Sequence, residues 1–194
     1  MTQHSAAWLD KVLYHETTIL SRLDELARQI TEDYRQRQLT VVAVLHGSLF
    51  FAADLLRRIQ LPLKLETISV ASYHGGTSSS GTVRFNQIGL PPVDGRDVLL
   101  IDDILDSGRT LHAIRERFLE DCAPASVKLC ALLSKRCQRA VELEADYAGF
   151  EIGDEFVVGY GLDYRGHYRN LPFIGTLTSD AIAGRTGYAG VVSA

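Results

Sequence analysis

The fold is decided by residues 98–110, which read Val-Leu-Leu-Ile-Asp-Asp-Ile-Leu-Asp-Ser-Gly-Arg-Thr. Four consecutive apolar residues predict a strand buried on both faces, as in a parallel sheet. The strand delivers two adjacent carboxylates, Asp102 and Asp103, to the edge of the sheet. A short turn follows, and apolar residues at spacings of three and four then indicate a helix. The segment therefore predicts a strand–turn–helix unit of an α/β fold.

The turn after the acid pair combines groups that suit a phosphorylated sugar. Two neighbouring carboxylates repel each other and favour a nearby cation or hydroxyl donors. Gly108 allows the backbone to approach a ligand closely, while helix-start N–H groups and the hydroxyls of Ser107 and Thr110 suit a phosphate. A capped helix, with Asp106 or Ser107 as N-cap and the acids solvated, is the alternative. We predict that this segment binds a phosphorylated ribose, with the sugar at the acid pair and the phosphate at the turn.

Apolar runs on either side of this segment predict the rest of the sheet. The other predicted strands are residues 41–45, 67–73, 127–133 and 156–158. Helical spacing is found in the first 38 residues and in residues 49–59. Buried strands that alternate with helices favour an open, mainly parallel sheet with helices on both faces. Ligands bind beyond the carboxyl ends of the strands in such sheets, which is where the acid pair lies.

Composition excludes several classes of protein. A formal net charge of -4 argues against nucleic-acid binding, and no apolar run is long enough to span a bilayer. The first residues lack a secretory signal, and the three cysteines match neither a C-x-x-C pair nor a zinc ribbon. We expect one cytoplasmic domain over residues 1–194, with a mobile loop at about 74–82 and a loose tail at about 184–194.

The 98–110 segment resembles the phosphoribosyl-pyrophosphate signature of type I phosphoribosyltransferases, and it is most similar to the hypoxanthine-guanine branch. That pattern has two acids, two apolar residues, then Asp, Ser or Thr, Gly and a basic residue. The resemblance implies that Asp102 and Asp103 bind the ribose hydroxyls. It implies a type I fold, with a small hood from the terminal segments. The implied 5-phosphate loop consists of Asp106, Ser107, Gly108, Arg109 and Thr110.

Other stretches extend the resemblance from about residue 13 to residue 178. The sequence Leu-His-Gly-Ser at residues 45–48 is similar to the pyrophosphate loop, in which the family often has Lys where this chain has His46. The peptide before that residue can be cis in the family. The residues implied to bind pyrophosphate are therefore His46, Gly47 and Arg169. Ser72 and Tyr73 precede the segment that is similar to the family's flexible catalytic loop.

The resemblance also implies a purine site. Lys135 would reach O6 of the base, and its ammonium group donates to a carbonyl oxygen but cannot accept from an amino group, which selects 6-oxopurines over adenine. Phe156 would stack on the base, and Val157 would offer backbone groups to its edge. Asp163 would lie at this site and support a magnesium ion bound to pyrophosphate, with the acid pair contributing to the metal site. Taken without the family, the pattern predicts a core strand at Phe156 and Val157.

The implied activity is purine salvage with magnesium as cofactor. The enzyme would transfer the 5-phosphoribosyl group of phosphoribosyl pyrophosphate to N9 of hypoxanthine, guanine or both, and Asp106 would act as general base at N7. Xanthine stays open as a substrate. The family implies a homo-oligomer, either a dimer or a tetramer.

Two other functions fit parts of the sequence. One is a non-enzymatic RNA-binding regulator of a pyrimidine operon, which shares the fold but typically has an aromatic residue at the position of Asp106. The other is a signalling receiver domain, which would carry its acid pair on the first strand. The acid at position 106, together with Lys135, favours the purine enzyme.

Overall fold

The computed structural model describes residues 7–72, 83–85, 89–136 and 139–184. Its elements in chain order are β1 (Leu9–Tyr14), α1 (Glu16–Asp33), β2 (Leu39–Leu45), α2 (Leu49–Leu56), β3 (Lys64–Ser72), β4 (Val83–Phe85), β5 (Asp97–Leu105), α3 (Arg109–Asp121), β6 (Ser126–Lys135), β7 (Tyr147–Ile152), β8 (Val157–Val158), β9 (Ile174–Leu177) and α4 (Ser179–Ile182). The main sheet has the order β4-β3-β2-β5-β6-β7. Five of its strands are parallel and β4 is antiparallel. The predicted open parallel sheet is confirmed.

Helices cover both faces of this sheet. Strand β2 shows the division, because Val41 and Ala43 belong to one buried cluster while Val42 and Val44 belong to the other, as the alternation of side chains along a strand requires. Helices α1 and α2 pack on the first face, and α3 packs on the second. Each fully buried Leu or Ile contributes about 1.5–3 kcal/mol, so both layers fix the position of β5.

The hood is a separate antiparallel sheet of order β1-β9-β8. Its strands come from the two terminal parts of the described chain, since β1 pairs with β9 and β9 pairs with β8. The expected small hood is therefore confirmed. The turn-rich segment between β8 and β9 brings Asp163 and Arg169 over the carboxyl ends of the parallel strands.

Two sequence predictions were wrong in detail. The first 38 residues were predicted to be helical, but residues 9–14 form β1; the helical spacing begins only at Ile19. Residues 156–158 were predicted to be a strand of the parallel sheet, but β8 belongs to the hood and Phe156 lies outside it, 47% exposed. The fifth parallel strand is β7, which carries Gly149 at its centre. A Cβ at this glycine would overlap the carbonyl oxygen of Leu132 on β6, so the residue that weakens the strand pattern is required by close strand packing.

Some predictions fall outside the described residues. These are the loop at 74–82, Tyr73, Cys137 and the tail from residue 185 onward. Within the described ranges, Cys122 and Cys130 are free thiols. No helix in those ranges has the length and apolar character needed to cross a bilayer.

Candidate active site

The acid pair lies where β5 extends past its neighbour. The pairing of β2 with β5 ends at Ala43 and Ile101, whereas β5 stays paired with β6 as far as Leu105. The acids Asp102 and Asp103 therefore face an open step in the sheet. The backbone N–H of Asp103 donates to Oδ1 of Asp102 over 2.9 Å. Asp102 is only 9% exposed, and this step forms the floor of a cleft of about 370 Å³.

The loop at residues 45–48 is wedged between the acid pair and the hood. A Cβ at Gly47 would overlap the carboxylate of Asp103, and a Cβ at Gly161 would overlap the carbonyl oxygen of Gly47. The peptide between Leu45 and His46 is cis. His46 is exposed and, with Gly47, lines the cleft. Glycine is thus the residue that fits at both contact points, because no side chain can be inserted between these layers.

Most of the predicted phosphate turn lines the same cleft. Gly108 has a φ of 79° and is the N-cap of α3, a conformation that glycine adopts without steric cost. Ser107 and Thr110 line the cleft beside it. Asp106 also lines it, while Arg109 is exposed at the start of α3. The turn therefore presents hydroxyl groups and helix-start N–H groups to one cavity, an arrangement that binds anions.

A second, smaller pocket of about 190 Å³ adjoins the cleft and shares Asp103, Asp106 and Asp163 with it. Lys135, Phe156 and Val157 line its other side. The ammonium group of Lys135 lies 3.3 Å from Oδ2 of Asp106. The ring of Phe156 contacts Tyr164 edge to face, with centroids 5.5 Å apart, and remains 47% exposed. The pocket thus pairs an open aromatic ring with a cation and a carboxylate.

Arg169 links the hood to the cleft. Its Nη1 donates to the carbonyl oxygen of Gly161 over 2.6 Å, and its Nη2 lies 2.6 Å from Oδ1 of Asp163. The other carboxylate oxygen of Asp163 accepts from the N–H of Gly166 over 2.7 Å. Both side chains line the cleft. Opposite charges are therefore held in fixed positions at its mouth.

The structure brings most of the predicted site residues together in this cleft and its adjoining pocket. Arg109 is in neither lining. The backbone of Ser72 ends β3, and Tyr73 lies outside the described residues. Two neighbouring cavities, one lined by acids and hydroxyl groups and the other by an aromatic ring and a cation, suit a nucleotide.

Comparison with known proteins matches residues 11–165 to the phosphoribosyl transferase domain family. The hypoxanthine-guanine phosphoribosyltransferase of Streptococcus pneumoniae is 44% identical over 172 residues, which cover 89% of this chain and 95% of that protein. The chain belongs to the hypoxanthine-guanine phosphoribosyltransferase family.

Solved structures of this family share the fold. A hypoxanthine phosphoribosyltransferase from Staphylococcus aureus superimposes with a TM-score of 0.84 at 44% identity, covering 89% of this chain and 94% of that one. The hypoxanthine phosphoribosyl transferase of Trypanosoma cruzi gives a TM-score of 0.86 at 35% identity and covers 95% of this chain and 98% of that one. The type I fold predicted from residues 98–110 is thereby confirmed.

Burial and mutual repulsion shift the pKa values of the two neighbouring acids, Asp102 and Asp103. Burial raises the pKa of Asp102 well above its ordinary value, and the charge of Asp103 raises it further. Burial also raises the pKa of Asp103, although the hydrogen bond with Asp102 and the charge of Arg169 oppose that shift. The two carboxylates are therefore destabilising neighbours in the ligand-free protein.

We expect Asp102→Asn to raise the free energy of unfolding at neutral pH by about 1 kcal/mol in magnesium-free buffer. The folded protein binds more protons than the unfolded chain above the ordinary Asp pKa of 3.8, so stability falls as pH rises through that range. Asn keeps the oxygen that accepts from the backbone N–H of Asp103. Urea unfolding at pH 4, 6 and 8 measures the difference, which should grow with pH. An Asp102→Asn variant less stable than the parent at pH 8 would contradict the claim that the charged carboxylate of Asp102 destabilises the folded protein.

Several residues that shape the site were not predicted from the sequence. Gly161 packs on Gly47, and Asp154 lies 3.6 Å from the ammonium group of Lys135 as its second carboxylate neighbour. Asp154 could have been suspected, because it precedes Phe156 by two positions. The role of Gly161 has no local signal, since its contact spans more than a hundred residues of chain.

Proposed function

We propose that this chain transfers the 5-phosphoribosyl group of phosphoribosyl pyrophosphate to N9 of hypoxanthine or guanine, releasing pyrophosphate. The observation that carries the proposal is the junction of the two cavities at Asp106. Its carboxylate faces Lys135 at 3.3 Å, and it lines both the acid-and-phosphate cleft and the Phe156 pocket. A base in the small pocket and a sugar in the cleft would meet at this residue.

The sugar half of the substrate would occupy the larger cleft. Asp102 and Asp103 would accept hydrogen bonds from the ribose hydroxyls. The turn from Asp106 to Thr110 would bind the 5-phosphate, since Ser107 and Thr110 supply hydroxyl groups beside the helix start. His46 and Gly47 would contact the pyrophosphate together with Arg169, since all three line this cleft. A guanidinium fork suits that polyanionic group.

The purine half would occupy the pocket of Phe156. The ring of Phe156 offers a face for stacking, Val157 offers backbone groups, and Lys135 would donate to O6. The side chain of Lys135 is only 10% exposed, so an unmatched donor there is costly and disfavours a 6-amino group. Asp106 would accept the N7 proton as N9 attacks C1 of the ribose, and return it in the reverse reaction.

The carboxylates of the cleft fit a magnesium ion carried by the substrate. Asp103 and Asp163 line the same cavity, and magnesium is typically held by one or two carboxylates together with substrate phosphates. No cluster of three or more His, Cys, Asp or Glu suited to a metal occurs in the described ranges. Bound magnesium would supply positive charge to the departing pyrophosphate. Arg169 would donate to the same group from the hood.

We propose further that the protein is a cytoplasmic homo-oligomer, a dimer or tetramer, built from one domain over residues 1–194. The free thiols Cys122 and Cys130 suit a reducing compartment. The pairing of β1 with β9 joins distant parts of the chain into one unit. Leu49 and Phe50 are 52% and 39% exposed at the start of α2, and such apolar side chains favour a contact between subunits.

The proposed function is tested by incubating the protein with phosphoribosyl pyrophosphate, magnesium and one base at a time. We expect nucleotide from hypoxanthine and guanine, and turnover with adenine at least about tenfold slower, because Lys135 cannot accept from an amino group. Xanthine and uracil complete the panel, and omission of magnesium with added chelator serves as a control that should stop turnover. Equal rates with adenine and hypoxanthine would refute the role given to Lys135.

A further inference from the structure

The chain between β6 and β7 packs directly against the proposed 5-phosphate turn. We call residues 139–144 the brace. The backbone N–H of Ala140 donates to the carbonyl oxygen of Ser107 over 3.0 Å. Val141 lies so close to Gly108 that a Cβ on this glycine would be 2.9 Å from Cγ2 of the valine. The brace thus touches the turn at two successive residues, and none of its own residues lines the cleft.

One largely buried side chain, Arg139, connects the brace to the end of β6. Its Nη2 donates to Oγ of Ser134 over 2.9 Å, and Ser134 directly precedes Lys135. Its Nη1 donates to the carbonyl oxygen of Leu143 and lies 2.5 Å from Oε1 of Glu144. The Arg139 side chain is only 12% exposed, so its charge-assisted bonds to Ser134 and to the Leu143 carbonyl are largely shielded from water and strong. Glu144 is 85% exposed, and its ion pair with Arg139 contributes little. The same guanidinium lowers the pKa of Glu144.

We propose that Arg139 is a positioning residue that holds the 5-phosphate turn in its binding conformation. The inference rests on the proposed function. Arg139 would act through the brace, by way of Ala140 on Ser107 and Val141 on Gly108, and would not touch substrate. A turn that is already ordered loses less conformational freedom when it binds phosphate. We expect purine binding to be unaffected, because Lys135 lies on β6, which pairs with β5 on one side and with β7 on the other.

The test is the steady-state kinetics of Arg139→Gln with hypoxanthine. We expect the KM for phosphoribosyl pyrophosphate to rise about tenfold, which corresponds to the loss of one well-placed charge-assisted bond, while the KM for hypoxanthine stays within about twofold. Arg139→Lys keeps the charge without the planar fork. Its KM for phosphoribosyl pyrophosphate should therefore lie between those of the parent and of Arg139→Gln. Arg136→Gln is the matched control, because Arg136 is 74% exposed and pairs with Glu151; both KM values should match the parent.

The outcomes separate the inference from the function on which it rests. A parent protein without transferase activity would overturn both. An active parent whose Arg139→Gln variant keeps its KM for phosphoribosyl pyrophosphate, or raises both KM values equally, would overturn the inference alone. If Arg139→Gln does not fold, Val141→Ala replaces it, and a rise of about threefold in the same KM is expected. An unchanged KM in that variant would equally overturn the inference.

Discussion

Replacing Asp106 with Asn is expected to lower kcat with hypoxanthine by about a thousandfold, within the usual range for general acid–base groups. Asn has nearly the same shape and still offers Lys135 an oxygen acceptor. It cannot take the N7 proton as the new bond forms. The loss should therefore fall on kcat and leave both KM values within a few-fold of the parent. The rate of IMP formation at saturating substrates measures the effect.

The matched control for this prediction is Asp154→Asn. Asp154 is the other carboxylate beside Lys135, at 3.6 Å, but its side chain is 85% exposed. Exposed ion pairs contribute little, so kcat should fall by less than about threefold. If Asp106→Asn keeps a tenth or more of the parental kcat, Asp106 is not the general base. Equal losses of kcat in Asp106→Asn and Asp154→Asn would contradict that role as well.

Substituting Gly161 with Ala is expected to lower kcat/KM for phosphoribosyl pyrophosphate by about a hundredfold, the usual effect of moving a binding group by an ångström. The added Cβ would overlap the carbonyl oxygen of Gly47, and a backbone atom cannot rotate away. Gly47 is also in close contact with the carboxylate of Asp103, which fills the position that a Cβ on Gly47 would take. The displacement should thus reach the pyrophosphate loop and the acid pair together.

Gly166→Ala separates this overlap from backbone strain. Gly166 has a φ of 82° and Gly161 one of 104°, but a Cβ at Gly166 meets no atom within 4 Å. Both variants place alanine in a left-handed conformation, which costs about 1 kcal/mol. We expect Gly166→Ala to stay within about threefold of the parent in kcat/KM and to lose only a little stability. Similar activity losses in the two variants would show that strain, and not overlap, is responsible.

The parallel sheet was predictable because burial on both faces leaves a local signature. Strands β2, β5 and β6 each contain a continuous apolar run, and the helices beside them keep the spacing of three and four. The strand–turn–helix unit at residues 98–110 was equally predictable, since its acids, glycine and hydroxyl groups lie within nine residues of sequence. The structure places these residues in one cleft, while their individual roles stay predictions.

The hood and the layered contacts could not be derived from local pattern. Strand β1 is short and half-exposed, so it lacks a clear alternation, and Gly149 obscures β7. The stacking of Gly161 on Gly47 joins parts of the chain that are far apart in sequence. The Arg139 brace is visible only once β6 and the 5-phosphate turn are adjacent. Long-range packing of this kind has no sequence period to reveal it.

Pairing of β1 with β9 has a consequence for how the protein matures on the ribosome. The partners Leu9 and Leu177 are separated by most of the described chain, so the hood cannot close until β9 has emerged. Closing so large a loop is slow relative to local helix formation. The central parallel sheet can fold as a unit earlier, while synthesis continues. A nascent chain should consequently acquire catalytic competence only after its central sheet has formed.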